Sequence, residues 1–243
     1  MADPQFQGEA IRAPRFSRGM KHALTVLLLM FLVSAPMAMT LQEAFERAQP
    51  GGGYDKYLVL EPGEIYTGGL LIGPIYSPLT WTMEGNAGCD VRIVGNGAIL
   101  DLQASRICIS YCNHRLDIDD CVIVGGDIRF RGLRDASFDL VPQGSVRQVT
   151  FYRPDDYGIR LQGAGEGITL ERNLIVSARN TGPDFIFSHG AAHELLPTGT
   201  NIAASVQAGL YGVPQIRENW SFHEDPAINA DMLAHFSFLC EYG

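Results

Sequence analysis

The sequence predicts an all-β solenoid with a short N-terminal capping helix, and two observations carry this prediction. First, a short apolar strand pattern recurs along the chain, with anchors at Asn96, Cys121, Val149, Asn173 and Asn219. The anchors are 25, 28, 24 and 46 residues apart, and the last interval is two steps of 23. Second, the repeating units are rich in β-branched residues and punctuated by glycine, which leaves no room for a helix in each unit. Such units bury their apolar faces only by stacking on one another.

One apolar position is shared by all the repeats. It lies three residues before each anchor and holds Ile93, Ile118, Val146, Leu170 and Ile216. If the repeats stack, these side chains form one buried column. The asparagines at three anchors are interpreted as structural, because asparagine tolerates the left-handed conformation and can bond along a stack of similar turns.

The capping helix is predicted over residues 40–48. Thr40 is a suitable N-cap, and Glu43 three residues later completes a capping box. One apolar stripe follows the helical period, made of Leu41, Ala44, Phe45 and Ala48. A helix here would cover the open edge of the first turn of the solenoid.

Composition and cysteine spacing restrict the function. The formal net charge of −9 argues against a general nucleic-acid binder, which carries a basic footprint. The cysteines include no CxxC pair and no zinc-finger spacing. Asp155, Asp156 and Asp184 could supply oxygen ligands to calcium, but turn formation explains these aspartates equally well, so no metal is predicted and no cofactor is identified. Cys108, Cys112 and Cys121 are interpreted as small apolar fillers, with a disulfide at Cys108 or Cys112 as the alternative.

The start of the chain predicts export. A short basic segment after Met20 precedes an apolar run over 23–33 and then small residues, so residues 20–39 are interpreted as a signal peptide. Residues 1–19 are interpreted as a leader or a misplaced start, and residues 40–243 as one domain. The expected location is secreted, periplasmic or at the cell surface, with membrane contact only if the signal remains as an anchor. The chain ends on an apolar segment, which either folds back over the last turn or continues in a longer protein.

Three segments resemble a known superfamily. Residues 41–51, 58–68 and 91–101 are similar to the opening turns of pectin-lyase-like right-handed parallel β-helix proteins. The resemblance covers residues 40–230 and implies that fold. The superfamily contains polysaccharide lyases, glycoside hydrolases, esterases, epimerases and noncatalytic adhesins, so the fold alone does not decide the chemistry.

A tripeptide also resembles one hydrolase family. Asp119-Asp120-Cys121 is similar to the Asp-Asp-Cys of polygalacturonase-like hydrolases, whose paired acids cleave a glycosidic bond. However, no Asn-Thr-Asp lies one turn upstream, and the nearest His-Gly downstream is three turns away at 189–190. The tripeptide also aligns with an ordinary repeat, which favours a structural role.

The candidate site is one outward face of the predicted solenoid. An Ile-x-x-x-Gly frame recurs at 128–132, 159–163 and 186–190, and strand alternation buries its first and third residues. The second and fourth residues then share one exposed face: Arg129, Arg131, Arg160, Gln162, Phe187 and His189. Guanidinium groups bind carboxylates in a fork, and an aromatic ring can stack on a sugar. We therefore expect a polysaccharide partner, an anionic one being favoured, and a monomeric protein.

Two functions are compatible with this face. In a lyase, arginine would neutralise a uronate carboxylate during β-elimination, and His189 or Tyr157 would abstract the proton. Arg160 is then catalytic, and Arg129, Arg131, Gln162 and Phe187 bind substrate. The alternative is a noncatalytic surface or adhesion module that presents the same face. A loop excursion over 180–202 is expected to leave the solenoid beside the face and to wall it into a groove.

Processing is the first testable prediction. Exported material should begin near Met39 to Leu41, because the signal segment ends there. N-terminal sequencing of the secreted protein checks this, and recovery of residues 1–19 in mature material would contradict it.

Overall fold

The computed structural model describes residues 39–77, 82–154, 157–177, 202–205, 212 and 214–225. These residues contain one helix, α1, over Leu41–Arg47. The rest is mainly strand, which confirms the all-β class. The strands in chain order are β1 Gln49–Gly51, β2 Tyr54–Val59, β3 Ile65–Thr67, β4 Leu70–Ile72, β5 Pro74–Ser77, β6 Thr82–Gly85, β7 Val91–Asp101, β8 Arg106–Ser110, β9 Arg115–Val124, β10 Asp127–Arg131, β11 Leu133–Arg134, β12 Asp139–Leu140, β13 Gln143–Arg147, β14 Thr150–Tyr152, β15 Ile159–Gln162, β16 Ile168–Glu171, β17 Leu174–Val176, β18 Ile202–Ser205, β19 Gln215–Arg217 and β20 Trp220–Phe222.

Two large sheets organise these strands, and strands of successive repeats pair in parallel. Sheet A runs in the order β1-β2-β7-β9-β13-β16-β19, and its second half is formed by β3, β7, β9, β14, β17 and β20. Sheet B runs in the order β18-β15-β10-β8-β4. Within the described residues, antiparallel pairing is confined to β1 with β2, β5 with β6 and β11 with β12. The sheets are therefore mixed, with parallel pairing dominant.

The predicted apolar column is confirmed by the strand registers. Ile93 pairs with Ile118, and Ile118 pairs with Val146. Val146 pairs with Leu170, which pairs with Ile216. The first four side chains have no exposed surface, and Ile216 is half-buried. Burying such side chains contributes about 1.5–3 kcal/mol each, so this column is a main source of stability.

Four of the five predicted anchors line up at a corner in sheet A. The registers on both sides of that corner place Cys121, Val149, Asn173 and Asn219 over one another. Each anchor is preceded by a residue in the left-handed region. These residues are Asp120, Gln148, Arg172 and Glu218, with φ of 54°, 54°, 57° and 52°. The corner is therefore a repeated turn of constant length.

The predicted position of the first anchor, Asn96, was wrong. Cys121 pairs with Ala98, and Asn96 lies in a bulge between Val94 and Ala98. Asn96 instead occupies the left-handed region at φ 50°, and its side-chain amide donates to the carbonyl of Leu60 at 3.0 Å. The turn that contains β7 has two more residues at this corner than the turn that contains β9, so a count of sequence spacing shifts the alignment.

Asn173 and Asn219 form a buried hydrogen-bonded ladder at the corner. Oδ1 of Asn173 accepts from the backbone N–H of Val149 at 3.0 Å, and its Nδ2 donates to the carbonyl of Val146 at 2.9 Å. Oδ1 of Asn219 accepts both from the backbone N–H of Asn173 at 3.0 Å and from its Nδ2 at 2.8 Å. Nδ2 of Asn219 donates to Leu170 at 2.9 Å. The amides thus satisfy backbone groups that the tight turn leaves without strand partners.

The capping helix is confirmed, including its cap. Oγ1 of Thr40 accepts from the N–H of Glu43 at 3.1 Å, and the N–H of Thr40 donates to Oε2 of Glu43 at 2.9 Å. Leu41 is fully buried in the core, and Phe45 packs against it. Lys56 of β2 donates to the carbonyls of Glu46 and Ala48 at the end of the helix. These contacts join α1 to the first turn.

Other expectations fall partly or wholly outside the described residues. These are the signal and leader, most of the 180–202 excursion, and the C-terminal segment after 225. Of the helices that the structure describes, none has the length and apolar character needed to cross a membrane. Two antiparallel hairpins, β5–β6 and β11–β12, were missed because their sequences carry no repeat signal.

The asparagine ladder gives the second prediction. Asn173→Ala removes the acceptor for Val149 and the donor for Val146 while both stay buried, so we expect a loss of about 3 kcal/mol in the free energy of unfolding. Asn96→Gly is the matched control, since it keeps a residue suited to positive φ and removes one hydrogen bond that is only partly buried. It should cost less than about 1 kcal/mol. Urea melts of both variants measure the difference, and equal losses would contradict a special role for the ladder.

Candidate binding face

The first two rows of the predicted face lie together as expected. Strands β10 and β15 pair in parallel, with Arg129 opposite Arg160 and Arg131 opposite Gln162. On the other side of β10, Arg106 of β8 lies opposite Asp127. We call this surface of sheet B the arginine face, made of Arg106, Asp127, Arg129, Arg131, Arg160 and Gln162.

The third predicted row is wrong. Strand β18, over Ile202–Ser205, pairs with β15 at the place where residues 186–190 were expected. Ala203 and Ser205 lie opposite Arg160 and Gln162. Phe187 and His189 are outside the described residues, so no position on this face is assigned to them. The error arose because the predicted frame required a glycine after the alternating residues. The segment at 202–205 has the same alternation but no glycine after it.

A buried carboxylate lies at the centre of the arginine face. Asp127 is 4% exposed. It accepts from Nε of Arg129 at 2.8 Å and from Nη2 at 2.6 Å. Nε of Arg160 lies 3.7 Å from the same carboxylate. Because a buried carboxylate is costly without partners, these guanidinium groups offset the cost of burying Asp127.

Tyr157 supports Arg160 and does not meet a substrate. The guanidinium of Arg160 lies 4.7 Å from the centre of the Tyr157 ring, in cation–π geometry. Tyr157 is 1% exposed, so a polymer on the surface cannot reach it. This corrects its predicted role as a proton acceptor. Burial lowers the pKa of Arg160, and the neighbouring Arg129 charge lowers it further, against the attraction of Asp127.

Arg131 extends the face toward a neighbouring pocket. Its guanidinium lies 5.1 Å from the centre of the Tyr111 ring. The chain then continues from Arg131 into the β11–β12 hairpin, which borders an open polar pocket of about 280 Å³. The pocket is lined by Asn113, Arg134, Asp139, Val141, Gln143 and Glu166. Within it, Arg134 pairs with Asp139 at 2.7 Å.

The arginine face carries an excess of positive charge, whereas one outward column of sheet A is balanced. That column alternates in sign through Asp119, Arg147, Glu171 and Arg217. The arginine face has four arginines and one carboxylate, which leaves three positive charges in excess. It is therefore a local positive surface in a protein of net charge −9.

The tripeptide Asp119-Asp120-Cys121 has a structural explanation. Asp119 pairs with Arg92 at 2.7 Å on sheet A, although burial raises the pKa of its carboxyl more than Arg92 lowers it. Asp120 holds the left-handed corner position, and Cys121 belongs to the buried anchor column. The fold itself therefore accounts for all three residues.

A second buried acid, Asp117, was missed by the sequence interpretation. It is 6% exposed and accepts from the hydroxyl of Tyr54 at 2.7 Å and from that of Ser145. Nε of Arg115 lies 3.2 Å away. Its partners are 63 and 28 residues distant in the chain, so only the strand register reveals the cluster.

The four cysteines in the described residues are free thiols. Cys112 and Cys121 lie in the core, as predicted for small fillers, and burial raises the pKa of Cys121 to about 12. Cys108 differs, because it lies on the outward side of β8 opposite Arg129 and is still only 3% exposed. Burial raises its pKa, although the Arg131 and Arg129 charges act in the opposite direction.

One group of side chains in the described residues could hold a metal ion. Asp55, Asp90 and His114 bring their ligand atoms within 4.8 Å of one another. Comparison of this chain with family models, with curated proteins and with solved structures finds no match.

Thiol reactivity gives the third prediction. In the native protein, Cys89 should react with a thiol reagent more than about tenfold faster than Cys108, Cys112 or Cys121, because Cys89 is half-buried whereas the other three thiols are buried, and a thiol must be accessible to react. Mass-spectrometric mapping of labelled peptides measures this order. In urea all four should react at similar rates. Native labelling of Cys108 as fast as Cys89 would show that the arginine side chains do not cover it.

Proposed function

We propose that this protein is an exported right-handed parallel β-helix that binds an anionic polysaccharide along its arginine face. The observation that carries the proposal is the excess of arginine over carboxylate on adjacent in-register strands of sheet B. The protein would act as a monomer at the cell surface, in the periplasm or in the medium. Its partner is a polysaccharide and not a nucleic acid, in keeping with its acidic composition.

The strand pairing supports the fold part of this proposal. Successive repeats pair in parallel in both halves of sheet A and in sheet B, as the turns of a β-helix require. Connections between parallel strands of one sheet are right-handed in about 98% of proteins, which favours that hand. The N-terminal capping helix and the corner asparagines agree with the resemblance to pectin-lyase-like proteins.

The spacing of the rows supports a polymer ligand. Adjacent strands are about 4.8 Å apart, so the rows of the arginine face span about two or three sugar units. A guanidinium binds a carboxylate through two parallel hydrogen bonds, which suits a polymer with regularly placed acid groups. Arg129 binds Asp127 through its Nε and Nη2 atoms. We expect Arg131 and Arg160, which belong to the same in-register strands, to contribute to holding the polymer together with it.

The described geometry favours binding over catalysis. A lyase needs a proton acceptor beside an arginine, and Tyr157 is too buried to serve. Asp127 is held by Arg129 and is covered from solvent. His189 remains the candidate base for β-elimination, and it lies outside the described residues. A noncatalytic binding or adhesion module is therefore the function that these residues support best.

Binding of a uronate polymer is the fourth prediction. Arg131→Ala and Arg160→Ala should each weaken binding of polygalacturonate about tenfold or more, since a charge-assisted bond contributes about 1.5–3 kcal/mol. Binding by the unaltered protein should also weaken as salt rises. Arg147→Ala, which removes the same charge from sheet A, should leave binding unchanged. Affinity electrophoresis or calorimetry at low salt measures all three variants.

The same samples separate binding from lysis. If the protein only binds, ultraviolet absorbance of an unsaturated uronate product should not rise during incubation. A rise that is abolished by His189→Ala, with binding retained, would establish the lyase instead. Unchanged binding by both Arg131→Ala and Arg160→Ala would contradict the arginine face as the site.

A further inference from the structure

We propose that Asp55, Asp90 and His114 form a binding site for a divalent transition-metal ion, zinc being the ion tested first. The three residues come from three separate segments that the fold stacks at one corner. Asp55 lies in β2, Asp90 lies just before β7, and His114 lies just before β9. The proposal is independent of polysaccharide binding, because none of these residues belongs to the arginine face.

The distances suit shared coordination of one ion. Nδ1 of His114 lies 3.1 Å from Oδ1 of Asp90, and ligand atoms of all three residues lie within 4.8 Å of one another. Zinc binds nitrogen and oxygen at about 2.0–2.2 Å, which in tetrahedral geometry places two ligand atoms of one ion about 3.3–3.6 Å apart. The observed pair, at 3.1 Å, is slightly closer than this, so a small separation of these two groups would admit an ion.

Backbone hydrogen bonds hold both carboxylates in position. Oδ2 of Asp55 accepts from the N–H of Asp90 at 2.8 Å, and Oδ1 of Asp90 accepts from the N–H of Arg115 at 3.0 Å. Such outer bonds orient ligands at metal sites. The imidazole is positioned from its other edge, because a Cβ on Gly88 would come within 3.0 Å of Cδ2 of His114. The ligands are therefore placed by the fold before any ion binds.

The nearby basic side chains are engaged elsewhere. Arg115 directs its guanidinium to Asp117 and lies 4.2 Å from the centre of the Tyr54 ring. Lys56 directs its amine to carbonyls at the end of α1. Among the residues that the structure describes, no lysine or arginine lies within ion-pair distance of Asp55 or Asp90. The clustered carboxyl groups of Asp55 and Asp90 thus have no lysine or arginine partner among the described residues, and a bound cation would stabilise this arrangement.

The donor set selects the class of ion. Calcium and magnesium take oxygen ligands, whereas an imidazole nitrogen suits zinc, copper, iron and nickel. His114 and Asp90 are 37% and 36% exposed, so the site is accessible from solvent and leaves positions for water or a substrate atom. Three protein ligands with open positions resemble a catalytic zinc arrangement more than a closed structural one.

The test is zinc binding by the full chain, measured by equilibrium dialysis with metal analysis. His114→Ala and Asp90→Asn should each remove one bound zinc per chain or weaken its binding at least about tenfold, because each deletes a direct ligand. His223→Ala, which alters a histidine in another part of the fold, should bind as the unaltered protein does. Zinc should raise the melting temperature of the unaltered protein and of His223→Ala, and should not raise that of His114→Ala.

Two outcomes would overturn the proposal. One is equal zinc stoichiometry and affinity in the unaltered protein and in both ligand variants. The other is displacement of the zinc by excess calcium, which would indicate an all-oxygen site elsewhere. If His114→Ala fails to fold without metal, His114→Gln preserves a hydrogen-bonding side chain beside Asp90 and gives the same comparison.

Discussion

The in-register stacking of parallel strands is the constraint on which the rest of this structure depends. Each turn places its side chains directly over those of the turn before, so an apolar position becomes a column and a polar position becomes a ladder. A slip of one residue would move every buried side chain to the surface, which is why the register must be fixed. Asn173 and Asn219 fix it at one corner, because their amides bond to each other and to backbone groups of adjacent turns. Their burial makes any other register leave polar groups without partners.

Stacking has an electrostatic consequence that distinguishes the two sheets. Like charges in adjacent turns lie about 4.8 Å apart, which is unfavourable unless the signs alternate or a counter-charge lies between them. Sheet A alternates its signs through Arg147 and Glu171. Sheet B instead keeps Arg129 beside Arg160, and it tolerates this only because Asp127 lies buried between them. The repulsion that remains is what an anionic ligand would relieve, so the arrangement that weakens the fold is also the one that suits a binding function.

The sequence predicted what strand alternation controls and missed what loops control. The column through Ile118 and the pairing of Arg129 with Arg160 followed from apolar periodicity, and the registers confirm both. The prediction that residues 186–190 form the third row was wrong because β18 shows the same alternation of apolar and polar residues. A pattern that distinguishes only apolar from polar residues cannot choose between the two segments. The position of Asn96 was predicted wrongly because its turn is longer at this corner, and an alignment by a fixed repeat length does not detect the extra residues. The sequence alone did not predict the cluster around His114. Each of its residues is ordinary in its own segment, and only the stacking of strands brings them together.

The two kinds of corner explain where function can arise in this chain. The corner that carries the asparagine ladder has the same short turn in the repeats of β9, β13, β16 and β19, although the turn at Asn96 is longer. Among the described residues, no buried asparagine pair spans the corner between sheet B and sheet A, which accommodates the hairpins β5–β6 and β11–β12 and the short turn between them that ends at His114. Arg131 with Tyr111, the polar pocket and the proposed metal ligands all adjoin this second corner. Connecting segments of different length lie at this second corner, which is also where the proposed binding groups lie, whereas the asparagine ladder maintains the register at the other corner.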